Sequence, residues 1–409
     1  MRSKRIGSVF IVIGTSLGAG MLALPMVSLP TNFFASVVTL IVLWALMIYT
    51  AFLILEVNLA FDIRKNNFAT MARRTFGKTG KIITWIGFLL LLYALCSAYI
   101  SGNASLLSTL IESNFHVSLP SWLYAVLFTI VFGGFVFVST RAVDMFNRGL
   151  LSVKGALLIF SLIFLIPHLD VSKIIAEKRS ISYLWAGIPI FLCSFGFHHI
   201  IPSLTNYVGK SAKELKKIII IGITIPLVFY IIWIFCTFCI VPLYGKESLT
   251  SVQDGSVGQF IQIIIAITQS KPVSFFINGF SNIAMTTSFL GVALGLFDFL
   301  ADALSRTDCY RGRFQTILIT LIPPLFFAIF FPDGFLLALG YAGVFVAILL
   351  IILPALMVYK LRKDKKHPSP YRAFGNNFML FFVMFIGLVV IAIQILANLK
   401  LLPAFFSNV

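Results

Sequence analysis

With 409 residues, 59% of them hydrophobic and only 11% charged, the chain is too apolar to be a set of soluble globular domains and reads as a membrane protein that crosses many times. A formal charge of +17 would suit nucleic acid in a soluble protein, but 24 of the 31 Lys and Arg fall in clusters on one side of the alternating apolar segments. That asymmetry is a membrane-topology signal and a contact with anionic lipid headgroups, and it predicts a cytoplasmic N-terminus and an exterior C-terminus.

Crossing a hydrocarbon core takes about 20 apolar residues. Eleven stretches qualify: 6–30, 34–61, 82–111, 121–139, 145–167, 184–208, 218–244, 272–303, 314–331, 335–359 and 376–399. The first follows Arg2, Lys4 and Arg5 as a secretory signal would, but its apolar run is long and has no small-residue cleavage site, so it is expected to be retained. In its middle lies Gly14-Thr15-Ser16-Leu17-Gly18-Ala19-Gly20-Met21. Three glycines and two hydroxyl residues make poor helix, at about 1 kcal/mol per glycine relative to alanine. A helix opened at membrane depth strands peptide groups that lipid cannot satisfy, so the break is expected to line a polar cavity. Gly14-x-x-x-Gly18 is also a close-packing motif of membrane helices.

Span 2 follows a tight turn at Pro30-Thr31-Asn32 and ends near Glu56, before a basic segment, 62–81, read as the longest cytoplasmic loop of the first half. In span 3, Tyr93, Ser97 and Ser101 share one helical face, and Tyr99 and Asn103 share the next. Span 5 carries Lys154 about three turns inside. Its stem either snorkels to the headgroups or its ammonium donates to backbone carbonyls within the bundle.

Span 6 contains Cys193-Ser194-Phe195-Gly196-Phe197-His198-His199-Ile200-Ile201-Pro202. It shares with span 1 a Ser-x-Gly at mid-membrane and an apolar-Pro step about two turns on. Interrupted helices at matching positions of two five-span halves point to an inverted-repeat secondary transporter with substrate at the midplane. The halves are 6–167 and 184–359 within a single transmembrane domain, 1–399, followed by an added span, 376–399, and an exterior tail, 400–409. Helix N-termini at such breaks suit a carboxylate and opposed carbonyls suit an ammonium, the two groups of an amino acid.

His198 and His199 are possible proton carriers or hydrogen-bonded helix residues, and their directions differ by about 100°, so one faces the cavity; His198, which continues the break, is the choice here. Phe195 and Phe197 are expected to form an apolar slot for a large side chain. Beyond span 7, the apolar piece 258–268 is too short to cross and should lie against the bundle. Span 8 repeats the polar face of span 3 at Ser281, Asn282, Thr286, Thr287 and Ser288. Asp298 and Asp302 follow as helical neighbours, with Asp302 able to pair with Arg306, and with Glu56 they suit a cytoplasmic gate or anchor. Cys236 and Cys239 have the spacing of a redox or zinc pair but lie inside an apolar span without a second pair, and are read as packing residues.

Three stretches together resemble the hydroxy and aromatic amino acid permease family, with greatest likeness to its tyrosine-specific members. They are the run from Gly14 to Pro25, Ser194-Phe195-Gly196-Phe197-His198 with Ile201-Pro202-Ser203-Leu204, and the run from Ser288 to Asp302. The resemblance covers nearly the whole chain and implies the amino acid, polyamine and organocation superfamily fold: an all-α, LeuT-like inverted repeat of five plus five spans, helices 1 and 6 broken, with an eleventh helix. It implies proton-driven uptake of tyrosine, tryptophan or phenylalanine across an inner membrane. It also implies a coupling role for Lys154, whose ammonium stands where sodium-driven relatives place a cation.

The expected function is a proton-coupled symporter working by alternating access, its site built from Gly14 to Met21 and Ser194 to His198 and completed by Tyr93, Ser97, Thr287 and Ser288. Lys154 and His198 are the coupling candidates. The expected partners are an aromatic amino acid, a proton and membrane lipid, with no cofactor, metal, nucleic acid or obligate protein partner. A sodium-coupled or exchange carrier is the nearest alternative, and a channel is the alternative of another class, though it lacks a carbonyl-rich filter. An enzyme is disfavoured because neither metal-ligand spacing nor a nucleophile elbow occurs.

Overall fold

The computed structural model describes residues 2–61, 67–177, 179–304, 309–364 and 368–406. All regular elements among them are helices. Ten are long and apolar enough to cross a membrane, and a bent pair at the N-terminus makes an eleventh crossing.

Span 1 is that pair, α1 (Arg2–Ser16) and α2 (Gly20–Ser28), meeting at 51°. Span 2 is α3 (Phe33–Ala60), whose first turn is capped by the Asn32 side chain accepting from the Phe34 and Ala35 N–H groups. Span 3 lies within α4 (Phe68–Phe115). Here the expected loop over 62–81 is corrected: Asn67 and Thr70 form a capping box, helix runs from Phe68, and Gly77 at φ 72° turns that first piece into the span. Residues 62–66 lie outside the described residues. Basic side chains on a helical ledge satisfied both readings of the sequence, and the cap decided between them.

Span 4 is α5 (Ser121–Val138) and span 5 is α6 (Thr140–Leu165), with a single turn, α7 (Lys173–Ala176), after it. Span 6 is broken into α8 (Leu184–Cys193) and α9 (Ile201–Val208), and span 7 is α10 (Ala212–Ile240). The short apolar piece forms α11 (Val257–Thr268), with one face buried chiefly against α4. Its Gly258 N–H donates to Ser105 Oγ, and a Cβ there would strike the Ser105 carbonyl, so only glycine permits this approach.

Spans 8 and 9 are α12 (Lys271–Ala303) and α13 (Tyr310–Phe330). Span 10 joins α14 (Phe335–Val346) to α15 (Leu353–Lys363) through a π-helical turn at Ala347–Ile352, and span 11 is α16 (Asn377–Asn398). Three packings place the site: α1 runs along α10, α2 lies against α8, and α12 lies along both α6 and α4. The broken spans are thereby surrounded by spans 3, 5, 7, 8 and 10.

Candidate functional site

At the first break the last turn of α1 ends with Leu17 N–H on the Ile13 carbonyl, and the chain turns through Leu17, Gly18 and Ala19. At the second, Ser194 to Phe197 leave the helix before a single 3₁₀ turn, His198–Ile200, leads into α9. The two breaks touch: a Cβ on Gly20 would come within 3.0 Å of Ser194 Oγ. A cavity of about 650 Å³ adjoins both.

The Gly18 and Ala19 carbonyls accept from the Met21 and Leu22 N–H groups of the chain itself, while the Leu17 carbonyl, and the Ser16 carbonyl besides its bond from Gly18 N–H, are reached from other helices. Lys154, 6% exposed, sends its Nζ 2.8 Å to the Leu17 carbonyl, which realises the inward reading of that residue rather than snorkelling. The hydroxyl of Tyr230, from α10, stands 2.5 Å from the Ser16 carbonyl and 2.9 Å from the Ser194 carbonyl, joining the breaks. On the donor side, Ala19 N–H reaches Ser288 Oγ at 3.1 Å. Gly18 is glycine because a Cβ would meet that same Oγ at 2.8 Å. Neither Gly18 nor Gly20 has positive φ, so here glycine serves close approach and not unusual backbone geometry.

Of the expected residues, Gly14, Thr15, Ser16, Gly18 and Gly20 line the cavity from span 1. Ser194 and Gly196 line it from span 6, with Lys154, Thr287 and Ser288 from spans 5 and 8. Leu17 and Ala19 contribute backbone groups, and Met21 is buried in the core.

Several expectations need correction. His199 lines the cavity, whereas His198 is buried with Nε2 2.8 Å from Thr50 Oγ1, because the 3₁₀ turn rotates it towards α3. Phe195 and Phe197 form no slot: both are fully buried, Phe195 edge-on to Tyr230 and Phe197 against His198. Tyr93 donates to the Ile319 carbonyl of α13, and Ser97 to the Tyr93 carbonyl, so this stripe of span 3 faces span 9. The neighbouring stripe faces inward, with Tyr99 on the cavity.

Glu56 is an anchor and stands apart from the cavity. Its carboxylate receives Arg362 through two N–H bonds at 2.8 and 2.7 Å, and the Ala373 N–H at 2.8 Å, clasping the segment before span 11 to span 2. Burial pushes the Tyr371 phenol beside this clasp up to about 12, so it adds no charge there near neutral pH. Asp298 and Asp302 are exposed on α12 away from the cavity, with Arg313 acting on Asp298 as the opposite charge. The expected partner of Asp302, Arg306, lies outside the described residues. No disulfide forms among the described residues.

Asn147 and Leu350 line the cavity without having been singled out, Tyr99 and His199 line it though they were weighed and not chosen, and Tyr230 joins the breaks unforeseen. The Tyr99–Asn103 stripe was a signal for Tyr99. For Tyr230 there was a weaker one, since a phenol deep in an apolar helix needs a hydrogen-bond partner.

The cavity extends from the breaks towards the end of the bundle that carries the N-terminus, where Phe10 and Ile11 of α1 are 58% and 47% exposed. Towards the opposite end α2 closes the way: Met21, Leu22, Leu24 and Met26 are wholly buried, and α2 packs on α8.

A manganese transporter of Eremococcus coleocola, solved with an aromatic bis-isothiourea compound, superimposes with a TM-score of 0.64 over 96% of this chain and 85% of that one, at 13% identity. The likeness shows the fold, the LeuT-like one with spans 1 and 6 broken. In sequence the chain is 36% identical to tyrosine-specific transport system 2 of Haemophilus influenzae, over 98% of this chain and 99% of that protein. It is 34% identical to a tryptophan-specific transport protein of Pseudomonas aeruginosa, over 99% and 97%. These relatives are named as transport proteins, which bears out the expectation of a carrier and not an enzyme. The tryptophan/tyrosine permease family model matches residues 1–394, and with ten apolar helices and a bent pair among the described residues this multi-pass membrane protein belongs to that family.

Proposed function

We propose that the chain is a proton-coupled symporter importing aromatic amino acids, tyrosine foremost, across the cell's inner membrane by alternating access. The N-terminus is cytoplasmic in this reading, so the cavity is inward-facing. Relatives named for tyrosine and tryptophan support the substrate class. The site suits a zwitterion: the N-terminus of α2 offers its positive dipole end to a carboxylate, and the carbonyl ends of α1 and α8 suit an ammonium. Apolar Leu92, Leu95, Val292 and Leu339 leave room for a ring, and about 650 Å³ is ample for one amino acid.

The observation that carries the coupling is the Lys154 ammonium on the Leu17 carbonyl. A side chain that both holds the break and can release a proton links protonation to the position of span 1. When the proton leaves, the charge holding that carbonyl leaves with it, and the break is free to rearrange with its substrate. No cofactor is needed beyond the proton gradient. The test is uptake of labelled tyrosine into proteoliposomes under an imposed pH gradient. Gradient-driven accumulation is expected, competed by tryptophan and phenylalanine; uptake indifferent to pH but dependent on sodium overturns the coupling.

A further inference from the structure

Tyr230 belongs to neither broken helix, yet its hydroxyl meets a carbonyl from each, Ser16 at 2.5 Å and Ser194 at 2.9 Å. It is fully buried, and its ring is fixed edge-on to Phe195 with centroids 5.4 Å apart. One phenolic proton thus serves two carbonyl oxygens. Two peptide carbonyls converging at a helix break form the kind of oxygen cluster that otherwise attracts a small cation. The same serine carries an unsatisfied oxygen: Ser16 Oγ is buried and has no hydrogen-bond partner among the described residues, although Ser16 lines the cavity.

We propose that Tyr230 is a positioning residue, a built-in donor occupying the place of a monovalent cation, which holds the two breaks in register and makes substrate binding independent of sodium. Its role differs from that of Lys154, which reaches the next carbonyl, Leu17, from span 5 and has no hydrogen bond to span 6 among the described residues. Lys154 tethers one break; Tyr230 ties the two together. A hydroxyl that stays protonated keeps this tie through the transport cycle, whereas a cation would have to bind and leave with the substrate. The inference rests on the substrate site proposed above.

Tyr230→Phe removes the proton and keeps the ring against Phe195. In the purified full-length protein, Y230F is expected to bind tyrosine about 10-fold more weakly in choline chloride, the loss for about 1.4 kcal/mol, and to regain much of this in sodium or lithium chloride. Its thermal midpoint without substrate is expected to rise in sodium over choline, while wild type shows no difference. Y230F binding equal to wild type, or equally weakened in all three salts, overturns the proposal. Should Y230F fail to fold, wild type still decides: its binding must be the same in the three salts, and a sodium requirement overturns the proposal. If wild type binds none of the aromatic amino acids but Y230F gains the sodium-specific stabilisation, the substrate reading fails and the role of Tyr230 stands.

Discussion

The two helix breaks solve the same problem in different ways. In span 6 the chain closes on itself: Ser194, Phe195, Gly196 and Phe197 each donate their N–H to a carbonyl two to four residues back, and Ser194 Oγ bonds the Ile190 carbonyl of its own helix. In span 1 Leu17, Gly18, Met21 and Leu22 likewise donate to carbonyls two to four residues back. Three groups there are also met from outside, however, by Lys154 of span 5, Tyr230 of span 7 and Ser288 of span 8, against one in span 6, the Ser194 carbonyl that Tyr230 also reaches. A break stabilised by its own turns keeps its shape when neighbours move. A break met by three other helices depends on where each of them sits, so the span-1 break is expected to be the more sensitive of the two to loss of a neighbouring side chain.

This contrast orders the expected effects of mutation. The largest falls on Lys154: K154A should reduce pH-driven tyrosine accumulation in proteoliposomes about 100-fold, near the top of the range for a coupling free energy of about 1–3 kcal/mol. Exchange of internal for external tyrosine should suffer less, and accumulation at the wild-type level would remove span 5 from the tether. Next is Gly18→Ala, whose Cβ would enter the space of Ser288 Oγ at 2.8 Å. Overpacking of about 1–3 kcal/mol predicts roughly 10-fold slower uptake, measured as initial rate at normalised protein level.

Ser288→Ala then removes the acceptor of the Ala19 N–H, together with the hydroxyl's bond to the Ala284 carbonyl of its own helix. Hydrogen bonds between membrane helices are worth about 0.6–1.7 kcal/mol, so a lower thermal midpoint and about 3–10-fold weaker tyrosine binding are expected. The smallest effect belongs to Ser194→Ala, because its hydroxyl bonds within its own helix. Binding within about twofold of wild type is expected, as for a locally redundant hydrogen bond. A larger loss for S194A than for S288A would invert the comparison and make span 6 the dependent break.

The spans and both breaks were legible from the chain because hydropathy and glycine clusters act locally. Every crossing lies within a few residues of its apolar run, since about 20 apolar residues have few other ways to be satisfied in lipid. The candidate site was half legible. Glycines and hydroxyls of the two breaks reached the cavity as expected, while Phe195, Phe197, His198, Tyr93 and Ser97 did not. Each of these errors is one of rotation: the right helix was chosen and the wrong face. His198 and His199 are adjacent, and the 3₁₀ turn alone decides which meets the cavity.

By itself the sequence determined how often the chain crosses, where two crossings come apart, and that a lysine lies about three turns inside span 5, leaving open whether it snorkels or turns inward. Only the tertiary structure decided which faces meet. The partners of the span-1 break lie more than a hundred residues away along the chain, and Tyr230 finds Ser16 across 214 positions. Periodicity marks stripes on a helix but carries no reference direction between helices; that direction is set by packing, and with it which oxygen finds which donor.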